Sequence, residues 1–491
     1  MKKNLLLYLS TGILLIFSLA VFFFTKEFYE LIETTSIWVR EWFGRFYLWL
    51  GLFCVLFIIV IALSPLGKRR LGNTKDRPEH SIWAWVAMLY SAGMGAGILL
   101  RAVQEPVYMQ QNPPLQTRIS PDIMALEYTF YQWGFTAWAF YGLFAMIIGY
   151  YLFVKQKKVL VSSAIEDTFS FKPVLWIIDI LAILTTVFGL IGAVGLGTTQ
   201  INGGLNHLLE GDFGINTTIF LTLLISLMAF ISVWKGVNKG IKVISKLNIN
   251  ITILLLIYIF IQSDILTIFS SFFTALYHYI LDFIPMSLAI GNYNPGEPFL
   301  TDWTYYYWAF WLAWAPFTGI FIARISKGRT LRELLLGVMI IPSLGTFFWF
   351  SVFGESAFQL IDSWGNYNNE FGDVFSSIFI FFENYPLQGF INGITIFLLI
   401  SFLVTSVDSA VFVLSMFTDN GKKIPSKKHR LIWSVFIAVF AVAIVILGSA
   451  KPEINVLTAL QKLLIITSLP FSLFMVIMTG IFLKDFFKKA L

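Results

Sequence analysis

Runs of about twenty consecutive apolar residues recur along this chain, and they constrain its fold more than any other feature. A helix needs about 20 residues to cross the hydrocarbon core of a bilayer. Such runs lie near residues 5–25, 43–65, 82–104, 124–153, 173–200, 216–236, 246–266, 303–323, 333–354, 389–417, 431–449 and 456–483. An outer-membrane barrel is excluded, because its strands would alternate apolar and polar residues. The sequence therefore predicts an all-α membrane protein with 12 transmembrane helices.

The composition agrees with this fold class and excludes several functions. Only 13% of the 491 residues are charged and 57% are hydrophobic, whereas about 25% of residues are charged in soluble proteins. The four histidines show no metal-binding spacing and no nucleophile–base pair is evident, so we do not expect an enzyme. The net charge of +6 is interpreted as topological rather than as a sign of nucleic-acid binding. The single cysteine, Cys54, excludes an intrachain disulfide.

Positive charges predict the orientation of the twelve helices. With the N-terminus in the cytoplasm, 27 of the 34 Lys and Arg residues fall in cytoplasmic segments, as positively charged loops usually do. The first run lacks a small-residue cleavage site, so we interpret it as a retained helix rather than a signal peptide. Residues 26–42 and 267–302 are too polar to span and rich in aromatics, which predicts amphipathic helices at the membrane surface.

Two spans contain residues that weaken helices near their centres. The third span carries Gly93-Met94-Gly95-Ala96-Gly97, and the eighth carries Trp314-Ala315-Pro316-Phe317-Thr318-Gly319. Interrupted helices at matching positions of two repeats are typical of the binding sites of secondary transporters. Spans 3–7 and 8–12 would then form two five-helix units of opposite topology. The alternative is that the glycines only permit close helix packing.

Aromatic residues cluster beside both predicted breaks. Trp133, Trp138 and Tyr141 share one broad face of the fourth span, and the eighth span repeats tryptophan at Trp311 and Trp314. Tryptophan often belongs to the interfacial belt of membrane proteins, which is the alternative for any single residue. Several mid-span rings can instead bind a quaternary ammonium ion by cation–π attraction, without a counter-charge.

The sequence resembles the betaine/choline/carnitine transporter family in three stretches. They are GMGAGILLRAVQEP (93–106), QWGFTAWAFY (132–141) and WAFWLAWAPFTGIFIARISKGRTLRE (308–333). The resemblance implies a sodium- or proton-coupled symporter, or an exchanger, in a bacterial plasma membrane and with a homotrimeric assembly. The distribution of positive charge predicts that both termini are cytoplasmic. The resemblance also implies a leucine-transporter-type 5+5 inverted repeat. The corresponding divisions are 1–78 (two N-terminal helices), 79–266 (first repeat), 267–302 (connecting segment), 303–483 (second repeat) and 484–491 (short cytoplasmic tail).

The resemblance also assigns residues to two kinds of site. Substrate contacts are implied for Trp133, Trp138, Tyr141, Trp311, Trp314, Met94, Phe310 and Gly97. A sodium ion, the coupling ion, would be held by Ser91, Met94, Phe402, Thr405 and Ser406. The resemblance favours one sodium ion rather than two, because Phe317 of the second site is present while the hydroxyl residues expected near 190 and 194 are aliphatic. No other cofactor is expected.

Arg101 departs from the family pattern, since an aromatic residue is common at this position. A charge inside the membrane is costly and suggests a function. Arg101 could contact an anionic group of the substrate or replace a coupling cation, or it could simply pair with Glu105 at i,i+4 spacing.

Gly97 bears on specificity, because choline-transporting relatives tend to carry an acidic residue there. Glycine at this position is typical of betaine-type sites, so we expect glycine betaine or a similar zwitterion as the substrate. The sodium site that the resemblance implies adds the expectation that its import is coupled to sodium. The alternatives are proton-coupled choline uptake and sodium-independent exchange of a carnitine- or betaine-type solute.

Overall fold

A computed structural model describes residues 4–73, 75–93, 95–116, 119–169, 171–235 and 238–488 of the chain, and these residues form a helical bundle. The helices are α1 Leu5–Phe23, α2 Thr25–Leu63, α3 Ile82–Gly93, α4 Gly97–Arg101, α5 Gln104–Gln111, α6 Pro121–Trp133, α7 Phe135–Gly149, α8 Lys172–Leu208, α9 Ile215–Lys235, α10 Asn238–Gln262, α11 Ile265–Leu288, α12 Glu297–Phe299, α13 Tyr306–Ile325, α14 Leu331–Trp364, α15 Ser377–Phe382, α16 Gln388–Thr418, α17 Lys427–Leu447 and α18 Val456–Lys488. A π-helical turn over Leu300–Tyr305 leads into α13.

Twelve helical segments of the described chain are long and apolar enough to cross a membrane. The predicted all-α membrane fold is therefore confirmed. The membership of the set differs from the prediction in two places. The third predicted span, 82–104, is absent from it because that segment is divided into α3, α4 and α5. The segment Ile265–Leu288 is included by its length and composition.

The contacts of α11 show how this extra apolar helix is oriented. Phe272 and Phe283 lie eleven positions apart on α11, a separation of about 16 Å along a helix axis. Their rings nevertheless contact Phe130 and Tyr131, two consecutive residues at the end of α6. Helix α11 therefore crosses α6 rather than running beside it. The placement of residues 267–302 at the membrane surface stays a prediction.

The predicted break in the third span is present. Helix α3 ends at Gly93 and α4 begins at Gly97, with Gly95 and Ala96 outside any helix. Glycine favours such an interruption because it loses more conformational entropy than any other residue when it is fixed in a helix. The chain leaves the helix a second time after Arg101, and α5 begins at Gln104.

The predicted break in the eighth span is wrong, because α13 is a continuous helix that contains Pro316. A proline removes one backbone hydrogen bond and normally kinks or ends a helix. Within a membrane bundle, packing against neighbouring helices lets a helix continue past it. Helix α13 has such support, since it packs closely against α7, α8 and α18.

The fourth span is interrupted at Gly134, a break that its sequence pattern does not predict. Gly134 separates α6 from α7 with φ −101° and ψ −129°. A Cβ atom at this position would lie 2.4 Å from Cζ of Phe347 and 2.5 Å from the carbonyl oxygen of Phe130. Glycine is therefore required by a close approach of α14 to this junction.

Candidate substrate site

A cavity of about 110 Å³ lies inside the bundle, beside the break in the third span. One water molecule needs about 10–15 Å³ of such space, so the cavity has room for a small solute. The side chains that line the cavity fall into two groups, one aromatic and one polar. We call Trp133, Tyr141, Tyr307, Phe310 and Trp311 the aromatic wall. We call Gln200, Ser245, Asn248, Thr405, Ser406 and Ser409 the polar wall.

Most neighbouring rings of the aromatic wall meet at steep angles, whereas Tyr307 and Trp311 stack with centroids 5.9 Å apart and an interplanar angle of 25°. The ring centroids of Trp133 and Trp311 are 5.2 Å apart, with an interplanar angle of 68°. Tyr141 meets Trp311 at 6.4 Å and 90°, and Tyr307 meets Trp133 at 5.5 Å and 61°. The indole Nε1 of Trp311 donates to the carbonyl oxygen of Gln132 at 2.9 Å, which fixes the orientation of that ring.

Most of the predicted substrate residues line this cavity. Trp133, Tyr141, Phe310, Trp311, Trp314, Gly97 and Arg101 all belong to its wall. Trp138 lies outside the set of described residues that line it and packs edge-on against Tyr141, with centroids 5.6 Å apart. Trp133 and Trp138 would share a face of one unbroken helix, but Gly134 interrupts the helix between them. Met94 lies outside the described residues.

Glu105 organises the aromatic wall from behind. It is fully buried, and its carboxylate accepts hydrogen bonds from Nε1 of Trp133 at 3.2 and 3.1 Å. The hydroxyl of Tyr307 donates to the same carboxylate. Two rings that face the cavity are therefore held by one acid on α5. Buried charges of this kind are tolerated when hydrogen bonds and a partner charge compensate for lost hydration.

The partner charge is Arg101, whose side chain is also buried. Its Nε lies 3.9 Å from Oε2 of Glu105, and its Nη1 donates to Oε1 of Gln104 at 2.5 Å. The guanidinium carbon lies 4.9 Å from the ring centroid of Trp303. The structure thus contains the i,i+4 pair with Glu105, and it also places Arg101 in the cavity wall.

The residues predicted to hold sodium meet the same cavity. Phe402, Thr405 and Ser406 of α16 all line it, as does Phe317 of α13. The hydroxyl of Thr405 donates to the carbonyl oxygens of Ser401 at 2.9 Å and Phe402 at 3.1 Å. A hydroxyl whose hydrogen is used in this way still presents its oxygen lone pairs. The side chain of Ser91 and all of Met94 lie outside the described residues.

Four functional candidates were not singled out from the sequence: Glu105 as an acceptor for two rings, Tyr307, Gln200 and Asn248. Helical spacing could have found Tyr307, which precedes Trp311 by four positions on α13. The sequence gives no such spacing signal for the two amide residues, Gln200 and Asn248. Their helices, α8 and α10, show no aromatic or broken pattern near them, and their relation to the cavity arises from tertiary packing.

A helical bundle with a solute-sized cavity, lined by rings and placed at an interrupted span, is typical of membrane transporters. The sequence profile of the BCCT family, described as betaine/carnitine/choline family transporters, matches residues 5–491. This chain belongs to that family.

Several relatives share about a third of their residues with this chain. Glycine betaine transporter OpuD of Bacillus subtilis is 35% identical over 453 residues, which cover 91% of this chain and 87% of the relative. A glycine betaine/proline/choline/ectoine transporter of Vibrio parahaemolyticus is 35% identical, covering 90% of this chain and 79% of the relative. The high-affinity choline transport protein of Escherichia coli K12 is 33% identical, covering 95% and 69%.

Proposed function

We propose that this protein imports a quaternary-ammonium compatible solute, glycine betaine or a similar zwitterion, by sodium symport with alternating access. The observation that carries the proposal is the aromatic wall, in which several rings from two spans meet around one cavity. The contact of a trimethylammonium group with the face of one ring contributes about 0.5–2 kcal/mol to the binding free energy. Rings can therefore bind the cation without a carboxylate.

The charges of the cavity favour a zwitterion over a simple cation. Arg101 is the one charged side chain among the described residues that line the cavity, and Glu105 neutralises it from behind. A cationic substrate would find no acidic partner among these lining residues, and Gly97 occupies the position where choline-transporting relatives tend to carry one. A substrate that brings its own carboxylate avoids this imbalance. The names of relatives support this class of substrate, since two of the relatives described above are glycine betaine transporters.

Sodium coupling is supported by the hydroxyls of α16. Thr405 and Ser406 line the same cavity as the aromatic wall and lie close to the interrupted third span. Sodium is a hard cation that prefers oxygen ligands, and unwound backbone supplies further carbonyls. Binding of sodium between α16 and the third span would order the substrate cavity and raise its affinity for the solute.

The membrane location and assembly are also part of what we propose. We place the protein in a bacterial plasma membrane with both termini in the cytoplasm, on the distribution of positive charge. The 5+5 inverted repeat supplies two units that can rock against each other, and the family resemblance implies a homotrimer.

The competing function is proton-coupled choline uptake or sodium-independent exchange on the same scaffold. Two observations favour it: Arg101 provides a fixed positive charge beside the cavity, and Glu105 provides a buried carboxyl group. This alternative predicts uptake that does not respond to a sodium gradient.

The deciding experiment is uptake of radiolabelled glycine betaine, choline and carnitine into proteoliposomes, with and without an inward sodium gradient. We expect betaine to accumulate with sodium and the Thr405→Ala variant to lose that dependence. Thr395→Ala is the matched control, because Thr395 makes the same hydroxyl bond to its own helix, with Ile391, and lies outside the described cavity wall. Uptake that is indifferent to both sodium and Thr405→Ala would contradict the proposal.

A further inference from the structure

Gln200 has an unusual environment on the polar wall. It is 0% exposed, and neither Nε2 nor Oε1 has a hydrogen-bond partner among the described residues. Among the described residues, no other side-chain amide with both ends buried lacks partners at both ends. Burying an amide without hydrogen bonds is unfavourable, so a residue in this state calls for a ligand in one functional state of the protein.

The position of Gln200 on α8 directs it to the cavity. The lining residues of this helix are Ala193, Leu196, Gly197 and Gln200, a spacing that follows one helical face. The first three present small or apolar surface. Gln200 therefore supplies the polar end of an otherwise apolar stripe.

Asn248 of α10 adds a second amide with a defined orientation. Its Oδ1 accepts a hydrogen bond from the hydroxyl of Ser401 at 2.7 Å, which leaves Nδ2 as the free end. That Nδ2 is buried and has no partner among the described residues. Gln200 and Asn248 lie on different helices, each carries an unpartnered amide donor, and both residues belong to the lining of the cavity that the aromatic wall also lines.

We infer that Gln200, assisted by Asn248, binds the carboxylate of a zwitterionic substrate and makes the site selective for betaine-type solutes over choline. The inference rests on the proposed function and specifies how that site recognises its anionic end. A carboxylate accepts stronger hydrogen bonds from amides than a neutral hydroxyl does. Neutral donors suit this cavity, because they leave the charge of Arg101 with Glu105 and add no net charge.

The test is equilibrium binding of radiolabelled glycine betaine and choline to purified protein, with the ratio of the two affinities as the readout. Gln200→Glu replaces a donor by an anion and should lower the betaine-to-choline affinity ratio by about 10- to 100-fold, the range of a hydrogen bond to a charged group. Asn392→Asp is the matched control, since Asn392 is a buried amide outside the described cavity wall. Its affinity ratio should stay within about twofold of the wild type.

A second variant keeps the test decisive if Gln200→Glu does not fold. Gln200→Met keeps the shape without polar atoms, so the substrate-free protein should be as stable as the wild type or more stable. Its betaine affinity should fall about tenfold while its choline affinity is retained.

An unchanged affinity ratio in the Gln200 variants would overturn the inference and assign the carboxylate to another donor, such as Arg101. A change in sodium affinity with the ratio unchanged would overturn it too, because the amide would then serve the cation. If the wild type binds neither solute, the proposed function itself fails, which is a distinct result.

Discussion

The carboxylate of Glu105 accepts hydrogen bonds from the indole nitrogen of Trp133, across two helices, at 3.2 and 3.1 Å. Trp133 faces the cavity, whereas Glu105 lies behind it. The ring that would contact a quaternary ammonium group is thus oriented by an acid that does not line the described cavity. Orientation of binding groups by a supporting layer is a general requirement of precise sites.

Removal of the charge on Glu105 should therefore weaken substrate binding indirectly. We expect Glu105→Gln to reduce betaine affinity about tenfold, because hydrogen bonds to a charged group contribute about 1.5–3 kcal/mol and an amide replaces them incompletely. Radioligand binding measures the change. Glu355→Gln is the control, since Glu355 is also a buried carboxyl group and lies outside the described cavity wall. Equal affinity losses in the two variants would contradict a positioning role for Glu105.

The pair of Arg101 and Glu105 makes a prediction about stability. Glu105→Gln leaves a buried guanidinium without its partner, and breaking such a pair typically costs about 3–5 kcal/mol. Adding Arg101→Met removes the unpaired charge, so the double variant should be more stable than Glu105→Gln alone. Thermal unfolding in detergent of the two single variants and the double variant measures the coupling. Additive losses would show that the two side chains act independently.

Gly134 should resist substitution because of the surrounding atoms. In Gly134→Ala the new methyl group would overlap Phe347 and the backbone of Phe130, and overpacking of this kind costs about 1–3 kcal/mol. Gly393→Ala is the control, because Gly393 lies within α16 and a Cβ atom there would have open space for 4 Å around it. There alanine should be neutral or stabilising. A lower melting temperature is thus expected for Gly134→Ala alone.

Gly97 should control the preference between zwitterion and cation. A Cβ atom there would meet Cη2 of Trp133 at 3.5 Å, an ordinary contact, so a small side chain fits. Gly97→Asp would place a carboxylate beside the aromatic wall, and we expect choline affinity to rise and betaine affinity to fall, each by about tenfold. Gly97→Asn has the same size without the charge. If both variants shift the preference equally, size rather than charge is responsible.

The parts of the fold that the sequence predicted correctly rest on strong local signals. Twenty-residue apolar runs identify membrane helices, and three glycines in five residues mark the break at Gly93–Gly97. The behaviour of Gly134 and Pro316 was not predictable in the same way. Each depends on its neighbours: the approach of Phe347 excludes a side chain at Gly134, while packing helices allow α13 to continue through Pro316.

The candidate site shows the same division. Aromatic spacing and family motifs pointed to Trp133, Tyr141 and Trp311, and all three line the cavity, while their contact with substrate stays a prediction. Trp138 required knowledge of the α6–α7 junction, because helical angles hold only along an unbroken helix. Gln200 became a candidate only when its burial and its missing partners were known. Polar residues of that kind are recognised by their environment rather than by a motif.

Paired tryptophan variants on α13 give the decisive test of whether the aromatic wall binds the trimethylammonium group. Trp311 lines the cavity, whereas Trp308, one turn away, is buried against Tyr131 and lies outside the described cavity wall. The measurement is equilibrium binding of radiolabelled glycine betaine to Trp311→Leu and Trp308→Leu. We predict about tenfold weaker binding for Trp311→Leu, within the cation–π range, and unchanged affinity for folded Trp308→Leu. Unchanged affinity in Trp311→Leu would contradict binding of the cation by these rings.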